Sequence, residues 1–211
     1  VWGLYGHFED LAARLAGEGF TALAVDLYRA YPERPGKDDP GAWMRELSDP
    51  DVLSNVERAV AFLHSHPSVG GSGVGVVGFC MGGSYALLAG ASVPGVDALA
   101  SFYGVLSYDT GLYASSVPLD PGKKPVAPLD AASRIRCPMI AFYGARDPFV
   151  SVEDIRELER RVGEGELPSE VRLYPDAGHA FMNDTRPAAY RADTARDAWA
   201  RMTAFFHRHL D

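Results

Sequence analysis

The chain has 211 residues, 47% of them hydrophobic and 23% charged, a balance that fits a globular domain with a sizeable core and excludes disorder, collagen-like repeats or coiled coil over its whole length. Lys and Arg number 20 against 28 Asp and Glu, leaving a formal net charge of −8 that repels phosphate backbones, so nucleic acid is not an expected partner. Two cysteines, Cys80 and Cys137, are too few for a disulfide framework, and no apolar run reaches about 18 residues, so a reduced, cytoplasmic protein without a membrane span is expected.

Val1-Trp2-Gly3 reads as the end of a strand running into a turn. Together with the absence of an initiating Met, this suggests that N-terminal strands are missing and leaves a targeting signal open. Phe8, Leu11, Ala12, Leu15 and Ala16 then fall at helical spacing, and Gly17 and Gly19 stop the pattern. Phe20 to Asp26 predicts a short apolar strand, and Asp38 to Pro50 a polar stretch of turns. Val52, Leu53, Val56, Ala59, Val60 and Leu63 mark one face of a second helix, with Pro50 suited to its first turn. Val74 to Phe79 predicts a strand, and Ser84 to Ala91 a nearly uncharged helix buried on most sides.

Three more strands are predicted at Asp97 to Tyr103, Met139 to Tyr143 and Val171 to Tyr174. Between the last two, Val152, Ile155, Leu158 and Val162 mark a helix, and a final amphipathic helix runs from about Tyr190 to Leu210. Alternating strands and helices, with apolar strands, predict one α/β domain over residues 1–211: a mostly parallel sheet with helices on both faces. The stretch from Gly104 to Arg136 breaks this rhythm with repeated Pro and Gly. A connection of about 30 residues is long for a compact domain, and it reads equally as a lid over a site or as a surface excursion with a short helix.

Gly78-Phe79-Cys80-Met81-Gly82-Gly83 lies where a buried strand meets a buried helix. This is the G-x-nucleophile-x-G elbow with Cys in place of Ser. A nucleophile on a strained tight turn requires small neighbours two residues to either side, so that strand and helix can approach. The helix N-terminus then favours thiolate, and the Met81 amide is placed to donate to an oxyanion. The alternatives are an ordinary buried cysteine in a Gly-rich turn, or a phosphate loop. The latter is disfavoured because the pattern is neither G-x-G-x-x-G nor a P-loop.

A hydrolase of this layout carries its acid after a later strand and its His after the last one. Asp147 follows the strand at 139–143 in Gly-Ala-Arg-Asp-Pro, and His179 follows the strand at 171–174 in Pro-Asp-Ala-Gly-His, so all three side chains are expected at one sheet edge. His179 would move the proton and Asp147 would orient its ring. Alone, Asp147 reads as a turn cap and His179 as a loop histidine; their order after Cys80 is what gives them weight. Asp176 is a weaker substitute acid, and Asp26 precedes the nucleophile and reads as structural. His64, His66, His207 and His209 end helices, where the dipole favours them, and His7 could border the pocket. Cys137 reads as a structural thiol. No cluster has metal-ligand spacing, so neither a metal nor another cofactor is expected.

With these motifs in place, the chain resembles the dienelactone hydrolase family of α/β-hydrolases (carboxymethylenebutenolidases). Gly-Phe-Cys-Met-Gly-Gly at 78–83, Tyr-Gly-Ala-Arg-Asp at 143–147 and Ala-Gly-His-Ala-Phe at 177–181 carry the resemblance, with Trp2-Gly3-Leu4 and Val25-Asp26-Leu27-Tyr28 in support. It implies cofactor-free hydrolysis of enol-lactones or related esters through Cys80, His179 and Asp147 and an acyl-enzyme. It also implies a second oxyanion amide near Val1 and Trp2. Trp2, Phe181 and Asn183 are candidate substrate contacts, Asn183 standing where dienelactone-specific members carry an Arg. A small ester or lactone is thus the expected partner. The alternatives are a broad carboxylesterase or thioesterase, and a binding or thiol-sensing protein on the same fold. Oligomeric state is not legible in the sequence.

Overall fold

Four strands form a parallel sheet in simple sequential order: β1 (Gly75–Phe79), β2 (Ala98–Phe102), β3 (Met139–Gly144) and β4 (Ser169–Tyr174). The computed structural model describes residues 3–31 and 40–211. Its helices are α1 (Gly6–Gly17), α2 (Pro40–Glu46), α3 (Asp49–Ser65), α4 (Met81–Ser92), α5 (Pro128–Ala131), α6 (Val152–Gly163) and α7 (Ala192–Leu210). The strand periodicity of two divides the core between the two faces. Ala98, Ala100, Phe102, Ile140 and Phe142 pack with Met202, Phe205 and Phe206 of α7. Leu99, Met139 and Ala141 point the other way, onto Leu87 of α4 and Ile155 and Leu158 of α6. Central strands covered on both sides have no polar face to spare, and every residue of β2 and β3 is buried. No helix of the described residues is long and apolar enough to cross a membrane.

Two predicted elements are corrected. Residues 20–26 form no strand. They face β1 across an apolar crevice of about 320 Å³, lined by residues 19–25 on one side and 73–79 on the other, and an apolar run without a ladder partner is only an extended segment. The polar stretch expected at 38–50 instead holds α2, anchored by fully buried Met44 and followed by buried Leu47; its earlier part lies outside the described residues. α3 begins three residues before Val52, because the Ser48 hydroxyl accepts from the Asp51 amide and caps it.

The stretch from Gly104 to Arg136 is a long connection that holds short helical turns and packs in part into the core. It contains a 3₁₀ turn at Gly111–Tyr113, then α5 and a second 3₁₀ turn at Ala132–Arg134, and it buries Val105, Leu106, Tyr108, Tyr113 and Lys124. Beneath the C-terminal ends of the strands, Phe79, Phe102 and Phe142 share one register across β1, β2 and β3. Their rings stack with centroids 4.8 and 4.6 Å apart. This aromatic ladder is the floor on which the site is built.

Candidate active site

Cys80 sits between β1 and α4 at φ 56°, a sparsely populated conformation that costs a non-glycine residue about 1–3 kcal/mol. Its amide donates to the Phe102 carbonyl at 2.9 Å, which holds the turn on the sheet. The need for small neighbours is real at Gly78, as the motif suggests, but on the far side it falls on Gly83 rather than Gly82. A Cβ on Gly78 would lie 1.8 Å from the Gly82 carbonyl oxygen, and one on Gly83 would lie 2.8 Å from Gly104 Cα. A Cβ on Gly82 would meet nothing within 4 Å. The steric demand therefore lies two residues before and three after Cys80, where α4 crosses β1 and the end of β2.

The loops after β3 and β4 are tied together by backbone bonds from Ala145 N to Tyr174 O and from Arg146 N to Ala177 O, both 2.9 Å. That lacing brings Asp147 under His179. Asp147 Oδ2 accepts from His179 Nδ1 at 2.7 Å, and its Oδ1 accepts from the Phe149 amide at 2.8 Å. The carboxylate has no exposed surface and the imidazole only 11%. His179 Nε2 is buried without a well-aligned hydrogen-bond partner, and the Cys80 thiol is the group whose charge acts on it most strongly. Catalytic hydrogen bonds are often poorly aligned before substrate arrives.

Electrostatics link the two groups. Burial pushes the Cys80 thiol up, the charge and hydrogen-bonding of His179 pull it down most strongly, the Met81 amide adds to that pull, and the thiol lies below its ordinary value. Burial likewise disfavours the His179 imidazolium, yet the Cys80 thiolate and the Asp147 carboxylate raise its pKa to about 9. Each group thus favours the charged form of the other, thiolate beside imidazolium.

Tyr103, at φ 41°, sets its ring edge-on to His179 at 5.1 Å, and Phe149 stands perpendicular to the imidazole at 4.9 Å. Phe181 has no exposed surface and packs against Tyr103 at 5.2 Å. Asn183 is buried, its Oδ1 engaged by the Thr185 amide and hydroxyl at 3.0 and 2.6 Å. Val1 and Trp2 lie outside the described residues. Asp176 is turned to solvent in an ion pair with Arg146 and does not approach His179 as Asp147 does. His7 is buried beside Asp184, and Cys137 is a buried thiol whose pKa burial pushes up to about 12. Among the described residues no group of His, Cys, Asp or Glu could hold a metal ion.

Two features escape the sequence. The Tyr28 hydroxyl donates to Met81 Sδ at 3.7 Å, behind the nucleophile turn. Lys124 forms a fully buried ion pair with Asp49 at 2.6 Å. Tyr28 follows an Asp-Leu pair at the end of an apolar run, a faint pointer to the sheet edge; Lys124 is indistinguishable by letter from exposed Lys123 beside it.

Comparison with known proteins agrees with this architecture. The model of the dienelactone hydrolase family matches residues 1–210. A carboxymethylenebutenolidase of Rhodococcus opacus is 33% identical over 213 residues, covering all of this chain and 79% of the relative. A Bradyrhizobium protein assigned as a 2-oxo-3-(5-oxofuran-2-ylidene)propanoate lactonase is 32% identical over 212 residues, covering all of this chain and 81% of its own. Among solved structures, a Klebsiella pneumoniae protein assigned as a dienelactone hydrolase superposes with a TM-score of 0.82 at 27% identity, over 98% of this chain and 83% of that one.

Proposed function

Since the chain belongs to the dienelactone hydrolase family and is thus an α/β-hydrolase acting on ester or lactone bonds, we propose that it does so through a Cys80-His179-Asp147 triad and an acyl-enzyme. In this reading Cys80 Sγ attacks the carbonyl carbon, and the carbonyl oxygen takes up the negative charge beside the Met81 amide. The tetrahedral intermediate collapses, the C–O bond of the ester or lactone breaks, and His179 gives its Nε2 proton to the departing oxygen. Water then attacks the thioester as His179 removes its proton, releasing the acid and restoring the thiolate and imidazolium pair. Asp147 holds the imidazole with Nε2 toward the sulfur and stabilises its charge.

The observation that carries this reading is the 2.7 Å Asp147–His179 bond in a site where the thiol and imidazole shift each other's protonation. A second reading is a broad carboxylesterase. It is favoured by Asn183, whose amide oxygen is consumed within its own turn and presents no charge to an acyl carboxylate.

Stopped-flow cleavage of p-nitrophenyl acetate, run beside Cys80→Ala, tests the mechanism. A Cys80-dependent burst followed by steady turnover is expected. A burst without turnover would point to a thiol sensor instead, and unchanged turnover in Cys80→Ala would remove the cysteine from the chemistry. Comparing a carboxylated lactone with its methyl ester separates the lactonase from the broad esterase.

A further inference from the structure

The long connection between β2 and β3 reaches the site from the side opposite α7. Gly111, at φ 60°, lies so close to the Phe149 carbonyl that an added Cβ would come within 2.5 Å of its oxygen, and the Phe149 ring is the one that stands on His179. Two residues later, Tyr113 enters a cluster with Tyr28, Met44, Met81, Tyr85 and Tyr108. It is fixed there from behind. Lys124 Nζ lies 5.3 Å from the Tyr113 ring centre and 2.6 Å from Asp49 Oδ1, and Asp49 also accepts from the Tyr85 and Tyr108 hydroxyls at 2.8 and 2.6 Å.

Within this cage the Lys124 ammonium, the Asp49 carboxylate and two phenols satisfy one another. The Tyr113 hydroxyl is buried and has no hydrogen-bond partner among the described residues. Leaving a buried hydroxyl unpaired is destabilising, and a native protein that keeps one calls for an explanation. Tyr113 belongs to the same packed cluster as Met81, the residue that follows Cys80. After burial, what holds the Tyr113 hydroxyl neutral is the charges of Asp49, Cys80 and Tyr28, and Tyr28 is the residue whose hydroxyl touches Met81.

We infer that Tyr113 is a specificity-determining residue whose hydroxyl donates a hydrogen bond to a neutral carbonyl oxygen on the acyl part of the substrate, next to the bond that Cys80 attacks. This rests on the mechanism proposed above. The departing oxygen must face His179 to receive its proton, so the acyl part lies beyond the sulfur, toward Met81 and Tyr113. A neutral acceptor is required because the adjacent cation, Lys124, is already paired with Asp49, and a carboxylate against this aromatic wall would lose its hydration without gaining a counter-charge. A site built around a lone buried donor discriminates against the analogue that lacks the acceptor.

Tyr113→Phe removes the hydroxyl and nothing else. Its kcat/KM for ethyl pyruvate, which carries a keto oxygen beside the scissile carbonyl, is expected to fall by about tenfold, while that for ethyl propanoate, which lacks it, stays within about twofold. The thermal midpoint should hold or rise, since an unpaired polar group is removed. Equal changes for the two esters, or none for either, would overturn the inference. Binding of the intact esters to Cys80→Ala, with and without Tyr113→Phe, keeps this separate from the mechanism. About tenfold weaker binding of ethyl pyruvate alone supports the role of Tyr113 even if Cys80→Ala still turns over, and equal binding overturns it.

Discussion

Cys80 and His179 shift each other's protonation in opposite directions. The thiol is depressed below 9.0 and the imidazole raised to about 9, so the ion pair persists from the lowered thiol value up to about pH 9. As pH falls, the thiolate is lost; as pH rises through about 9, the imidazolium is lost. Alkylation of Cys80 by iodoacetamide should therefore show its midpoint at a lower pH than that of a free thiol. In His179→Ala nothing from the imidazole opposes burial, so the thiol pKa should rise and the alkylation rate at pH 7 should drop by about tenfold or more. A variant with the wild-type midpoint would show that His179 does not tune the thiol. Residues of this kind were legible in the sequence, because elbow, acid and His each follow a recognisable strand. Tyr113 was not, because its only distinction is an unpaired hydroxyl, which no sequence pattern records.

Elements meet most tightly where α4 leaves β1. Gly83→Ala would drive a Cβ to 2.8 Å from Gly104 Cα and 2.9 Å from the Phe102 carbonyl, backbone atoms that cannot swing aside. It should cost about 1–3 kcal/mol and displace Cys80 from His179, whereas Gly82→Ala, with open space around it, should leave stability unchanged or slightly improved. Urea denaturation of the two variants checks this, and equal losses would refute the packing argument. The alternation of elements was also readable from the sequence, since buried parallel strands and an uncharged helix have little freedom of composition. Residues 20–26 show where that reading fails: Phe20-Thr-Ala-Leu-Ala-Val has a strand's composition, but strand identity depends on a bonded neighbour, which is not a local property. α2 fails in the opposite direction, because its short turns are held by the burial of Met44 rather than by their own propensity.

Across the whole molecule, one buried ion pair ties the long connection to the body. Lys124 comes from that connection, Asp49 opens α3, and Tyr85, which bonds both, belongs to α4. Three segments distant in the chain thus share one satisfied polar knot within an apolar cluster. Lys124→Met should destabilise the protein by about 3–5 kcal/mol, because Asp49 is left buried without its counter-charge, and Asp49→Asn in the same background should recover part of the loss. Chemical denaturation measures both, and a neutral Lys124→Met would mean that the connection is held by its apolar contacts alone. The net charge of −8 gives no hint of this pair, since whole-chain charge reports on the surface and not on where one lysine is enclosed.

The crevice beside β1 also divides that strand's backbone into two populations with different clocks. The Cys80 amide bonds the Phe102 carbonyl, so by alternation the Val76 and Gly78 amides point into the sheet and those of Val77 and Phe79 point into the crevice. In deuterated solvent the inward amides would wait for the sheet to open, while their immediate neighbours would exchange with any solvent that enters the crevice. A single five-residue strand would then show alternating fast and slow labelling, residue by residue.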